Sequence, residues 1–183
     1  MSYISRVEGR VVGRLVQLME STRGQEERGG EGRHRVGITR RAEDFPLIIS
    51  QYGLSSALTF FLSKVGRDDS GLLDYGVDYF RGAVSLDQEL GKEKELVKDA
   101  GEEGKGYASY LALVLVWPLG EAMAGAGLDG VVKGLKPPGG RVRGAAGILL
   151  RNLQGIQERE LLLEAAAMPG LLELKKITRA LGR

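Results

Sequence analysis

Apolar residues recur at helical spacing along most of the chain, and no stretch alternates convincingly with period two. The fullest pattern runs from Asp44 to Gly66, DFPLIISQYGLSSALTFFLSKVG, with Leu47, Leu54, Leu58, Phe61 and Val65 on one stripe. Ile48, Ile49, Tyr52, Phe60 and Leu62 widen that stripe. Asp44 offers a capping side chain, Pro46 falls in a first turn where its missing N–H is harmless, and Gly66 stands where a left-handed C-cap belongs. The pattern predicts one helix that is apolar on most sides, a hub against which the others pack. Gly53 at its middle costs about 1 kcal/mol relative to alanine, which a close helix crossing would explain.

Further helices are expected around this hub. Tyr3 to Met19 places Ile4, Val7, Val11, Leu15 and Leu18 on one face and Arg6, Arg10 and Arg14 on the other, with Glu8 awkwardly near the apolar side. Like charges at this spacing gain nothing from one another, so the arginines form either a solvated face, the simpler reading, or a surface for a phosphate backbone or an acidic partner. Ser70 to Leu90 buries Leu73, Val77, Phe80 and Val84, and Tyr107 to Met123 is apolar almost throughout, with Trp117 and Pro118 kinking or ending it. Ala145 to Met168 turns Leu149, Leu153, Ile156 and Leu163 inward; Pro169 and Gly170 interrupt, and Leu171 to Leu181 makes a short last helix. Between these lie a glycine-rich, basic segment at 21–42, read as a flexible loop, and a charged linker at 91–106. The expected fold class is all-α, a single-domain bundle of about five to seven helices with glycine-rich loops.

Composition narrows the chemistry. At 183 residues, 43% hydrophobic and 27% charged, the chain suits one globular domain with a real core. It has no cysteine, and its single histidine, His34, stands in the 21–42 segment without a serine or carboxylate at a recognisable spacing. Disulfides, cysteine zinc sites and multi-histidine metal cages are excluded within one chain. The start, MSYISRVEGR, lacks the apolar core of a signal peptide, and the run Tyr107 to Leu119 is too short for a membrane span, so a cytoplasmic protein without membrane contact is expected.

The net charge of +2 hides segregation, because residues 1–42 and 105–183 are basic while 43–104 are acidic. From Gly130 to Gln157 there is no acidic residue, and Lys133, Lys136, Arg141, Arg143 and Arg151 fall there, around the turn KPPGGRVRG. Gly139 and Gly140 could bring backbone N–H groups close to a ligand, and arginines grip phosphate oxygens in pairs. Arg40 and Arg41 precede the hub, and Lys175, Lys176 and Arg179 share the outer side of the last helix. These ten cations are the candidate RNA-binding residues, although basic loops also serve only to keep proteins soluble.

No catalytic constellation is present. Asp74 and Asp78 are spaced i, i+4, as two ligands of a divalent cation can be, but nothing completes a site, and an acidic outer face is the simpler reading. GEEGKG at 101–106 lacks the spacer and the Ser/Thr of a P-loop. No cofactor is expected, and binding or scaffolding is left as the function class.

Two stretches, FPLIISQYGLSSALTFFLSK at 45–64 and EAAAMPGLLELKKITRAL at 164–181, make the chain similar to the small helical subunit of the Cmr complex, the type III-B CRISPR effector. In that family a proline opens a helix, a polar/Gly-Leu step follows, and an apolar run ends in Ser-Lys or a like pair. The second match is a glutamate, an alanine-rich turn, a double apolar step and paired basic residues. The matches cover roughly 40 residues, and the chain departs from the pattern in its glycine-rich insertions and in Pro169. The resemblance implies a non-catalytic helical subunit of an RNA-guided, RNA-targeting antiviral defence complex. Such a subunit packs beside the repeated backbone subunit and helps hold guide RNA and target RNA. Its implied partners are the other Cmr subunits, with self-association open, and the acidic middle would face a protein neighbour. The small subunit of a type III-A or type I complex, and a stand-alone helical adaptor that never meets nucleic acid, are the alternatives.

Overall fold

The computed structural model describes residues 6–26, 36–66, 70–84 and 103–182, and among them every regular element is a helix. In order these are α1 (Arg6–Glu26), α2 (Val36–Tyr52), α3 (Leu54–Lys64), α4 (Ser70–Arg81), α5 (Glu103–Val116), α6 (Leu119–Gly125), α7 (Asp129–Leu135), α8 (Ala145–Arg151), α9 (Leu153–Gln157) and α10 (Glu160–Leu181). The all-α expectation holds. His34 and the greater part of the 91–106 linker lie outside the described residues.

The hub is α5, not the 44–66 stretch. Every residue from Gly106 to Gly120 is buried, and α5 packs on α4, α2, α3, α6 and α1. The segment Gly106–Gly125 is long and apolar enough to cross a membrane by composition, yet 83% of it is buried inside the protein, as a core helix would be. A helix apolar all round has no face to leave outside, so it takes the centre. Tyr107 and Tyr110 meet Phe61 of α3 and Phe45 of α2 edge to face, with Phe61 ring centroids 4.8 Å from Tyr107 and 4.7 Å from Phe45. Such pairs add about 1 kcal/mol each beyond their buried area.

The 44–66 stretch itself is two helices, divided at Gly53, whose φ of +86° only glycine adopts without strain. The first begins at Val36, so Asp44 and Pro46 lie inside α2 rather than at its start. Its buried stripe is Ile38, Ala42, Phe45 and Ile49. Leu47, two residues past Phe45 and therefore on the opposite side, is 56% exposed. Of the 21–42 segment expected as a loop, 21–26 belong to α1 and 36–42 to α2, and 27–35 lie outside the described residues.

The last helix corrects the sequence reading in the other direction. Pro169 and Gly170 do not interrupt α10, which is continuous from Glu160 to Leu181. Pro169 is on the exposed side, and Gly170 is where α10 crosses the Trp117–Pro118 turn. A Cβ on Gly170 would stand 2.4 Å from Pro118 Cβ. The proline that ends α5 thus needs a glycine facing it, which accounts for Gly170 as a close approach. The expected 145–168 helix is divided into α8, α9 and the start of α10, by turns at Asn152 and at Glu158–Arg159.

Candidate nucleic-acid interface

The basic, acid-free window covers α7 after Asp129, the loop 136–144, α8 and α9, and α4 braces the loop from beneath. Asp78, buried in α4, accepts the Val142 N–H on both carboxylate oxygens at 3.1 Å and the Arg81 Nε–H at 2.8 Å. Asp74, one turn earlier, accepts the Gly144 and Ala145 N–H groups at 2.6 and 2.7 Å. Those are amides at the start of α8, so Asp74 caps that helix from another element, after Gly144 at φ +71°. Arg81 donates onward to the Pro137 and Gly140 carbonyls. The i, i+4 carboxylate pair is therefore neither a cation site nor a solvated face. It fixes the basic loop.

The same device recurs at α3. Glu164 accepts the Leu54 N–H at 2.7 Å and Glu160 the Ser55 N–H at 2.6 Å, just past the positive-φ Gly53. A Cβ on Gly53 would lie 2.8 Å from Glu160 Oε1, so the close approach there is by a carboxylate rather than by a helix. Each i, i+4 acid pair puts both side chains on one face of its helix, where together they satisfy adjacent orphan amides.

Held this way, the loop and its flanking helices expose Lys133, Arg141, Arg143 and Arg151. Lys136 differs from these four: it is half-buried and turned toward α1 and α6, near Arg10 and Glu121, and its pKa is lowered chiefly by burial. The glycine turn does not offer the amides expected of it at both positions. Gly140 N–H points back to the Pro137 carbonyl at 3.4 Å, and the Pro137 and Gly140 carbonyls face Arg81.

The remaining candidates lie on the seam of α2 and α10. Thr39 Oγ1 donates to the Thr178 carbonyl at 3.3 Å, which sets exposed Arg40 near the end of α10. Lys176 pairs with Glu173 at 3.2 Å and Arg179 with Glu43 at 3.0 Å. Both are exposed pairs, worth less than about 1 kcal/mol, and easily exchanged for phosphate. Lys175 is half-buried beside them.

Arg41 does not belong in the set. It is 5% exposed, lies over the Tyr107 ring at 3.9 Å and pairs with Asp44 at 3.3 Å. It joins α2 to the hub helix and cannot reach a polymer outside. Among the described residues no group of three or more His, Cys, Asp or Glu side chains could hold a metal ion.

Residues the sequence did not single out for these roles are Arg14 and Arg81. Arg14 lies over the Tyr79 ring at 5.0 Å and donates to the Val84 carbonyl at 2.8 Å, while Arg10 donates to the Arg81 carbonyl at 3.2 Å. Arg10 thus caps the C-terminal end of α4, where unpaired carbonyls favour positive charge, and Arg14 holds the turn that follows it. No protein-family model, no curated protein and no solved structure matches this chain.

Proposed function

We propose that this protein is a non-catalytic, cytoplasmic RNA-backbone-binding subunit of the Cmr type, in an RNA-guided effector complex directed at RNA. The observation that carries the reading is the loop 136–144. It contains no acidic residue, it is braced by two carboxylates and an arginine, and it lifts Arg141 and Arg143 into solvent. Fixing with a buried ion pair a loop that sends Val142 into the core but holds its arginines outside is reasonable when the loop must meet a partner in a fixed shape. The α2–α10 seam, with Arg40, Lys175, Lys176 and Arg179, supplies a second basic surface. The resemblance of 45–64 and 164–181 to the Cmr small subunit gives the polyanion its identity as guide RNA and target RNA.

The reading is tested by fluorescence anisotropy of the full chain with single-stranded RNA over a salt series. Replacing Arg141 and Arg143 by glutamine should weaken binding and lower the slope of log K against log salt by about 1.4 for two lost phosphate contacts. Base sequence should matter little, because phosphate contacts position without specifying. An unchanged slope removes the loop from the interface. Indifference to charge reversal at Lys175, Lys176 and Arg179 as well refutes RNA binding.

A protein-joining role has its own support, in the outer face of α10. Leu161 is 82%, Leu162 58% and Leu172 44% exposed, more apolar surface than a solvated helix needs. In an effector complex this face meets a neighbouring subunit, and in a stand-alone adaptor it is the whole function.

A further inference from the structure

A cleft of about 310 Å³ opens between α1, the end of α4 and the start of the basic loop. Its walls are Val7, Val11, Phe80 and Val116, and its charged lining consists of Arg10, Arg81 and Lys136. Among the described residues no carboxylate lines it. We propose that this cleft binds a small organic phosphate, a phosphate monoester of about mononucleotide size, independently of the RNA surface described above.

The three cations have distinct parts. Arg81 is held by Asp78 and by two loop carbonyls, so it contributes fixed charge and shape. Arg10 has one nitrogen on the Arg81 carbonyl at 3.2 Å, and its remaining N–H groups can grip two oxygens of a phosphate. Lys136, at the start of the basic loop, brings a point charge to the same cleft. Gly82, at φ +86°, lines the same cleft without a side chain, and a Cβ there would sit 3.5 Å from the Arg10 stem.

Size and wall chemistry decide between a bare ion and a larger ester. At about 310 Å³ the cleft is roomier than one inorganic phosphate fills and falls at the small end of the range for small-molecule sites. Apolar walls around a few convergent polar groups are the usual make-up of a small-molecule site. Lys136 is also an uncomfortable cation as it stands. Burial lowers its pKa first, Glu121 opposes that, and Arg10 adds to it. Glu121 offsets the burial only in part, and an incoming phosphate would relieve both Lys136 and Arg10.

Isothermal titration calorimetry of the full chain with adenosine 5′-monophosphate, inorganic phosphate and adenosine provides the test. The monophosphate should bind, inorganic phosphate more weakly and adenosine most weakly. Lys136→Met should weaken the monophosphate about tenfold or more, the usual loss for one charge-assisted hydrogen bond. Arg10→Met, a second variant on a different element, should do the same. Arg141→Gln with Arg143→Gln should leave the monophosphate unaffected, which separates this cleft from the RNA surface. Absence of heat with the monophosphate, inorganic phosphate binding as tightly as the ester, or affinity unchanged in folded Lys136→Met protein would each overturn the proposal.

Discussion

Replacing Asp78 by alanine should be among the most damaging single changes on the surface-facing half of this protein. Asp78 is 2% exposed and accepts from Val142 N–H and from Arg81 Nε–H. The Arg81 side chain is 13% exposed, so the pair is nearly out of water. Removing one partner of such a pair costs about 3–5 kcal/mol, because the other charge stays buried and unpaired. The orphaned Val142 amide falls within that cost and on its own would account for about 1–3 kcal/mol. Set against a total stability of about 5–15 kcal/mol, a loss near 4 kcal/mol is large. For a chain of this size it corresponds to a fall in Tm of roughly 8–16 °C. Urea unfolding followed by circular dichroism, with the slope checked for constancy, measures it. Asp78→Ala combined with Arg81→Ala should cost less than the sum of the two single changes, since the second no longer leaves a stranded charge. The bracing role also predicts weaker RNA binding with an almost unchanged salt slope, because the loop loses order but no cation. A cost below about 1 kcal/mol, the value of an exposed pair, would refute the brace.

Other consequences follow from the same contacts. The Tyr110 hydroxyl is fully buried without a hydrogen-bond partner among the described residues, so Tyr110→Phe should be neutral or stabilising by about 1 kcal/mol in urea melts at neutral pH. Burial raises the Tyr110 pKa, so its contribution is intact below the unfolded value of about 10 and is lost as pH climbs above it; the phenylalanine variant should lose less stability there. Lys136 has the opposite sign. Its folded pKa is lowered, so its stabilising contribution is complete above the unfolded value of about 10.4 and is lost as pH falls through the folded one. Lys136→Met should therefore be at least as stable as the parent at neutral pH, with the gap narrowing in alkaline melts. Gly53→Ala meets both a positive φ and the Glu160 carboxylate at 2.8 Å, and should cost about 1–3 kcal/mol. A denaturant midpoint equal to the parent's would contradict that geometry.

Periodicity gave the helical class and most helix faces, because a buried stripe repeats whatever the tertiary context. It misplaced the ends where the deciding partner is far along the chain. Nothing near Gly53 announces that Glu160 and Glu164 cap the helix after it, more than a hundred residues away. The Asp74 and Asp78 pair was visible as a spacing, but its use depended on the fold bringing loop 136–144 to α4. Pro169 looked like a break because a proline alone does not say that its helix continues on both sides. The basic window was legible in full as composition. Its division into the exposed Arg141 and Arg143 and the half-buried Lys136 was not, and Arg41 shows why: a cation next to a buried tyrosine is spent on packing.

The central claim is most directly tested by tagging the protein in its native cell and recovering it under gentle salt. Co-purified proteins would be identified by mass spectrometry and bound RNA sequenced. The account predicts the other Cmr subunits together with guide RNAs carrying the CRISPR repeat sequence. Recovery of protein partners with no RNA and no CRISPR component would contradict it and leave the adaptor reading in its place.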